Sequence, residues 1–257
     1  QVRTELYTVT KNNGTRRTGI LFKQEDSNLA PTIYLEEFYQ KYLKGQQVPD
    51  LADSICSIYQ EIRVKKTCDC QNLFDFNHVK EHIVYKLIRR DANEELLKQI
   101  PYEPFLDLAV VYYIQIDNTR FGSAAIQIRN EHLRYWRVEK EEIRRLAEKN
   151  TPRIYPVQIR QIVRFMYVAT NEQCSLGAAV MRYPDFREKV RGMIRGDFYI
   201  LPSSIHEVIL VPESFGLEPE RMQEMVKEIN QTGVAPEEVL SDSVYYFDGE
   251  EIRIVAK

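Results

Sequence analysis

The sequence predicts an α+β fold: antiparallel or mixed strands in hairpin pairs with packed helices, and a helical region in the first 100 residues. Three observations predict it. The hydrophobic period switches along the chain between helical spacing and strict alternation. Apolar strands come in pairs separated by turn residues. Helices stand between those pairs rather than after every strand, which argues against a doubly wound parallel sheet.

The elements follow in order. Residues 5–10 alternate and are rich in β formers, Asn12, Asn13 and Gly14 tolerate positive φ, and residues 18–23 return, so the chain opens with a hairpin. Residues 35–44 read as a helix stopped by Gly45. Residues 50–63 carry Leu51, Ile55, Ile58, Tyr59 and Ile62 at helical spacing. Asp75 is placed to cap a helix running to about residue 90, with Val79, Ile83, Leu87 and Ile88 on one stripe. A shorter helix over 94–100 ends at Pro101. Residues 106–117 form a near-continuous apolar strand, and 123–129 alternate as its hairpin partner. An amphipathic helix over 139–149 stops before Thr151-Pro152. The last third alternates strands (165–170, 178–182, 198–201, 207–211, 244–248 and 251–255) with helices over 185–194 and 218–231. The whole reads as one domain over 1–257. Two closely packed lobes, 1–150 and 151–257, are the alternative, since 151–164 is short and not rich in Gly or Ser.

Composition narrows the function classes. The 257 residues are 44% hydrophobic and 28% charged, as in an ordinary globular chain. The net charge of −3 gives no overall attraction to nucleic acid or to an anionic membrane. No apolar run approaches the ~18 residues of a membrane span. The chain begins at Gln1 rather than Met, so a trimmed or partial chain is expected. Cys56, Cys68, Cys70 and Cys174 form no dense framework and are expected to be reduced thiols of a cytoplasmic protein. Glycine-rich phosphate loops, the His-Glu-x-x-His pattern and calcium loops are all missing, so no cofactor is expected.

Three groups of residues carry some chemistry. Cys68 and Cys70, with His78 and His82 four apart on the expected helix, could close around a metal ion. Their irregular spacing fits loop cysteines and surface histidines better. Ser203, Ser204 and His206, with a carboxylate such as Asp242, hold the groups of a nucleophilic hydrolase. Turn chemistry explains them equally, and no strained Gly-x-Ser-x-Gly elbow is present. Residues 129–164 hold 10 Lys and Arg against 5 Glu, and 212–251 hold 11 acidic against 2 basic residues. Arg134, Arg137, Arg144, Arg145 and Lys149 are the candidates for contacting nucleic acid, although glutamates interleave them as on a solvated helix. Polar turns at 202–207 and 241–243 interrupt apolar strands and are the first surfaces to inspect.

Several stretches together resemble a known family: Ala30 to Leu35, Phe105 to Ala109, and Asn130 to Leu133 with Trp136. To these are added Asn150-Thr151-Pro152, Met166 to Val168 with Thr170-Asn171, residues 201–211 and 234–244. The combination resembles an uncharacterised domain-of-unknown-function family of Firmicutes, many of them gut Clostridia, often carried on conjugative or other mobile elements. A looser similarity to another uncharacterised bacillary family supports α+β and transfers no catalytic residue. The resemblance implies a bacterial cytoplasmic accessory protein. The sequence therefore points first to a non-enzymatic interaction or regulatory protein whose partner is another protein. A hydrolase and a nucleic-acid binder are the alternatives.

Overall fold

The computed structural model describes residues 2–24, 30–62, 75–116 and 124–257. The chain is an α+β protein, and every strand pairing among the described residues is antiparallel. A hairpin of β1 (Val2–Thr10) and β2 (Arg16–Gln24) turns at Asn12–Gly14, and β3 (Thr32–Tyr34) pairs with β2. Asn13 takes φ 57°, the left-handed conformation that asparagine tolerates. Two helices, α1 (Glu36–Leu43) and α2 (Val48–Ile62), lie on this sheet. Phe22, Ile33, Phe38, Leu51, Ile55 and Tyr59 form a small core of their own. Gly45 follows α1 at φ +96°, as the C-terminal cap predicts.

The segment after Asp75 corrects the expected helix. Asp75 caps as expected, accepting from the Asn77 N–H at 2.9 Å, but α3 spans only Phe76–Val79. The chain then enters β4 (Ile83–Arg89), whose first three residues are all buried. A run of β-branched and aromatic residues buried on both faces matches helical spacing by accident. After a short α4 (Glu94–Leu97), β5 (Tyr102–Phe105) and β6 (Leu108–Ile116) form a hairpin. The sequence reading missed β5. β6 is central, with β4 on one side and β5 and β7 (Ala124–Gln127) sharing the other. The expected partner strand began at 123, which lies outside the described residues.

Next come α5 (Asn130–Trp136), which was not anticipated, and α6 (Lys140–Ile154). The expected stop before Pro152 is not observed. Pro152 falls in the last turn, so it removes few intrahelical bonds. The residue before it, Thr151, which proline disfavours in a helix, is pinned: its hydroxyl donates to the Ala147 carbonyl at 2.6 Å and accepts from the Tyr85 N–H at 3.0 Å.

The rest builds a six-stranded sheet in the order β13-β12-β10-β11-β9-β8. Its strands are β8 (Val157–Val163), also missed, β9 (Met166–Asn171), β10 (Phe198–Leu201), β11 (Val208–Pro212), β12 (Val244–Phe247) and β13 (Ile252–Ala256). Residues 178–182 are not the expected strand but lie in a 3₁₀ turn, Gly177–Arg182, where Ala178 to Met181 are buried. A short apolar run without alternation does not distinguish these states. α7 (Phe186–Met193) lies on one face of the sheet and α8 (Pro219–Thr232) on the other. Alternation along β12 shows the two layers. Tyr245 and Phe247 enter the main core with Tyr85, Leu108, Ile143 and Phe186, while Val244 meets Met222 and Val226 of α8.

Candidate functional site

The tip of the first hairpin is inserted into the rest of the chain. The left-handed turn aims the Asn13 side chain outward, where its amide donates to the Pro236 carbonyl at 2.9 Å and the Val239 carbonyl at 2.7 Å. The Asn13 backbone N–H donates to Asn93 Oδ1 at 2.9 Å, and Asn93 Nδ2 donates back to Asn13 Oδ1 at 2.9 Å. Asn12 Nδ2 donates to the Glu237 carbonyl at 2.7 Å, and Arg17 pairs with the Glu237 carboxylate. Residues that read as ordinary turn formers are thus also the docking contacts.

Two depressions flank this junction. The smaller, about 570 Å³, is lined by Asn13, Arg89, Asp91, Asn230 and Val239 among others. Arg89 bridges Asp91 and Asp242, both at 2.8 Å, and these carboxylates keep its guanidinium charged. The larger, about 910 Å³, lies between the hairpin turn, the 91–99 segment and one face of the sheet containing β4. Lys86 and Ile88 of β4 and Gln127 of β7 line it, with Lys11, Gln99 and Arg129. Lys86 is half-buried, and burial, then the charge of Lys11, lowers its ammonium below the ordinary lysine range. Its Nζ lies 5.8 Å from the Tyr113 ring centroid, and among the described residues no carboxylate pairs with it. Sequence reasoning missed Lys86 because a helical reading of 75–90 gives a lone lysine an exposed face. The signal was a cation inside the run Ile83-Val84-Tyr85-Lys86-Leu87-Ile88.

The expected Ser and His residues serve the backbone. The Ser204 hydroxyl accepts from the His206 N–H at 3.1 Å. The His206 imidazole accepts from the Leu176 N–H at 3.2 Å through Nδ1 and lies 3.3 Å from Glu238 through Nε2. Among the described residues neither serine hydroxyl bonds the ring. Asp242 lies elsewhere, accepting from Arg89 and from Asn230 Nδ2 at 2.8 Å. The other polar turn is a buried latch. Asp107 accepts from the hydroxyls of Ser241 at 2.6 Å, Ser243 at 2.8 Å and Tyr245. Burial and the Asp107 charge push the Tyr245 phenol well above its ordinary value.

The remaining candidates separate. Cys68 and Cys70 lie outside the described residues. His78 Nδ1 pairs with Asp75 at 2.9 Å, and His82 is exposed just before β4. Among the described residues no group of three or more His, Cys, Asp or Glu is placed to hold a metal. Arg134 and Arg137 sit on α5 and its cap, and Arg144, Arg145 and Lys149 on the exposed side of α6. Arg145 is held by Glu142 at 2.7 Å and Arg144 lies 3.5 Å from Glu103, so part of this charge is locally neutralised. No helix among the described residues is long and apolar enough to cross a membrane.

The model of a family of unknown function (DUF5688) matches residues 1–166 and 163–249, nearly the whole chain, and the chain belongs to that family. No curated protein and no solved structure matches.

Proposed function

We propose that the chain is a non-enzymatic interaction protein that docks another protein through its N-terminal hairpin. The resemblance to a Firmicutes family often carried on mobile elements makes it, in this reading, a cytoplasmic accessory or regulatory factor of such an element. One observation supports the docking role. Among the described residues β1 pairs only with β2, and eight of its nine residues are exposed, including Leu6 at 73% and Tyr7 at 47%. A long edge strand with apolar side chains offers its free backbone groups to an added strand, and proteins normally shield such edges. The neighbouring α1 and α2 also expose Tyr39, Tyr42, Leu43 and Val48.

The partner in this reading contributes an extended segment that continues the sheet beyond β1. The test compares the wild-type chain with L6K in capture from host extract, followed by reconstitution with the purified partner and hydrogen exchange. Leu6 is exposed, so L6K is expected to fold normally. The reading expects a partner that L6K loses and that slows exchange of the outward β1 amides. A capture profile unchanged by L6K, or turnover of a small substrate by the protein alone, would overturn it.

A further inference from the structure

We infer that the larger cleft, the one floored by Lys86, is a binding site for the phosphoryl group of a small phosphomonoester. The inference rests on observations separate from the docking strand. Lys86 stands mid-strand on β4, with Val84 and Ile88 to either side on the same face and Val111 opposite, all three buried. That environment suits a valine or isoleucine. A half-buried ammonium there is unfavourable unless a counter-charge reaches it. Among the described residues no carboxylate pairs with Lys86, and its Nζ lies 5.8 Å from the Tyr113 ring centroid.

The cleft around Lys86 supplies cations from two further elements. Lys11 lines it from the hairpin turn, its Nζ lying 4.5 Å from the Tyr34 ring centroid. Arg129 enters from the residue before α5, spending one donor on Gln99 Oε1 at 2.9 Å and keeping others. Three carboxylates also border the cleft, all exposed. Asp91 is paired with Arg89, and Glu95 with Lys98 at 2.5 Å. Arg89 is shared between Asp91 and Asp242, and Glu94 has no ion-pair partner among the described residues, so three cations face two uncompensated carboxylate charges.

The charge count selects the ligand class. Lys11 and Lys86 line the same cleft, where like charges repel, and after burial the Lys11 charge is the second cause that lowers the Lys86 ammonium. A monoanion relieves one of them, whereas a phosphomonoester dianion neutralises both and offers three acceptor oxygens. The volume, about 910 Å³, exceeds what a lone phosphate fills and suits a phosphorylated small molecule. Because the hairpin turn forms one wall, the bound phosphate would tie the hairpin to the sheet beneath it.

Calorimetry with inorganic phosphate and phenyl phosphate tests the site, using wild type, K86M and K11M with sulfate as the competing anion. The wild type is expected to bind phenyl phosphate saturably. K86M is expected to weaken binding by about tenfold or more and K11M by several-fold. K86M removes a poorly solvated charge and should fold at least as stably as wild type, so lost binding cannot be blamed on unfolding. Binding should take up protons in alkaline buffers, because the anion raises the Lys86 ammonium toward its ordinary range, and affinity should fall as pH rises through that window. Absence of saturable binding by both phosphates, or equal affinity in wild type and K86M, would overturn the inference. So would binding to phosphatidic-acid vesicles without response to the soluble phosphates.

Discussion

Replacing Asn13 with glycine should loosen the hairpin from the rest of the chain without unfolding either part. Glycine keeps the left-handed backbone at φ 57° and removes only the side chain. Three hydrogen bonds disappear: those to the Pro236 and Val239 carbonyls, and the one accepted from Asn93 Nδ2. Each contributes about 0.5–1.5 kcal/mol net, and the Pro236 bond is exposed, so the docking contact should weaken by about 2–3 kcal/mol. Asn12 and Arg17 still hold Glu237, which keeps the loss local. N13A should lose the same bonds and add about 1 kcal/mol of left-handed strain. Hydrogen exchange reads this directly, as faster exchange at the Asn13 amide that donates to Asn93, with the six-stranded sheet unchanged. If N13G exchanges like wild type and its urea midpoint is also unchanged, the tip is not a docking element and the reasoning fails.

Four further outcomes follow from the same geometry. K86M should stabilise the chain by on the order of 1 kcal/mol near neutral pH, because it removes a half-buried charge. The folded-state ammonium of Lys86 is lowered, so the unfolded chain binds more protons between the two titration ranges; wild type should gain on K86M as pH rises toward the ordinary lysine range, and a pH-independent difference in urea stability would contradict this. D107N should cost about 2–4 kcal/mol in urea unfolding, since the carboxylate that takes three hydroxyl donors becomes an amide with one acceptor oxygen. G177A should cost about 3 kcal/mol or fail to fold, because its Cβ would meet Thr170 Oγ1 at 2.1 Å and the His206 carbonyl at 2.5 Å; near-wild-type melting would show that this turn relaxes freely. H206A should cost about 1–2 kcal/mol by leaving the Leu176 N–H without its acceptor, while S203A/S204A should leave ester turnover at the wild-type background; a clear loss of turnover in that double variant would favour the hydrolase reading instead.

Most of the fold was legible wherever local chemistry decides the outcome. The first hairpin, the Gly45 stop, the apolar strand now seen as β6, and the helices α2, α7 and α8 each follow from period and cap residues. Failures came where burial on both sides erases the period. Residues 83–89 read as helix because a doubly buried strand is apolar throughout, and 178–182 read as strand because a buried 3₁₀ turn of small residues is equally apolar. Pro152 misled for a different reason, since a tertiary hydrogen bond from Tyr85 holds the preceding threonine in the helix.

The candidate sites show the same division. Their residue types were visible, but proximity in sequence proved a poor guide to proximity in space. Ser204 and His206 are neighbours whose side chains serve different backbone groups, while Asp242 turned to an arginine 153 positions away. By itself the sequence determined the α+β class, the hairpin with its asparagine turn and the amphipathic helices, because propensity and periodicity act over a few residues. Only the tertiary structure decided that the asparagine turn is a docking tip, that Asp107 gathers three hydroxyls, and that Lys86 stands without a carboxylate partner among the described residues in a cleft built from distant segments. Burial and pairing depend on which surfaces meet, and no local pattern encodes that.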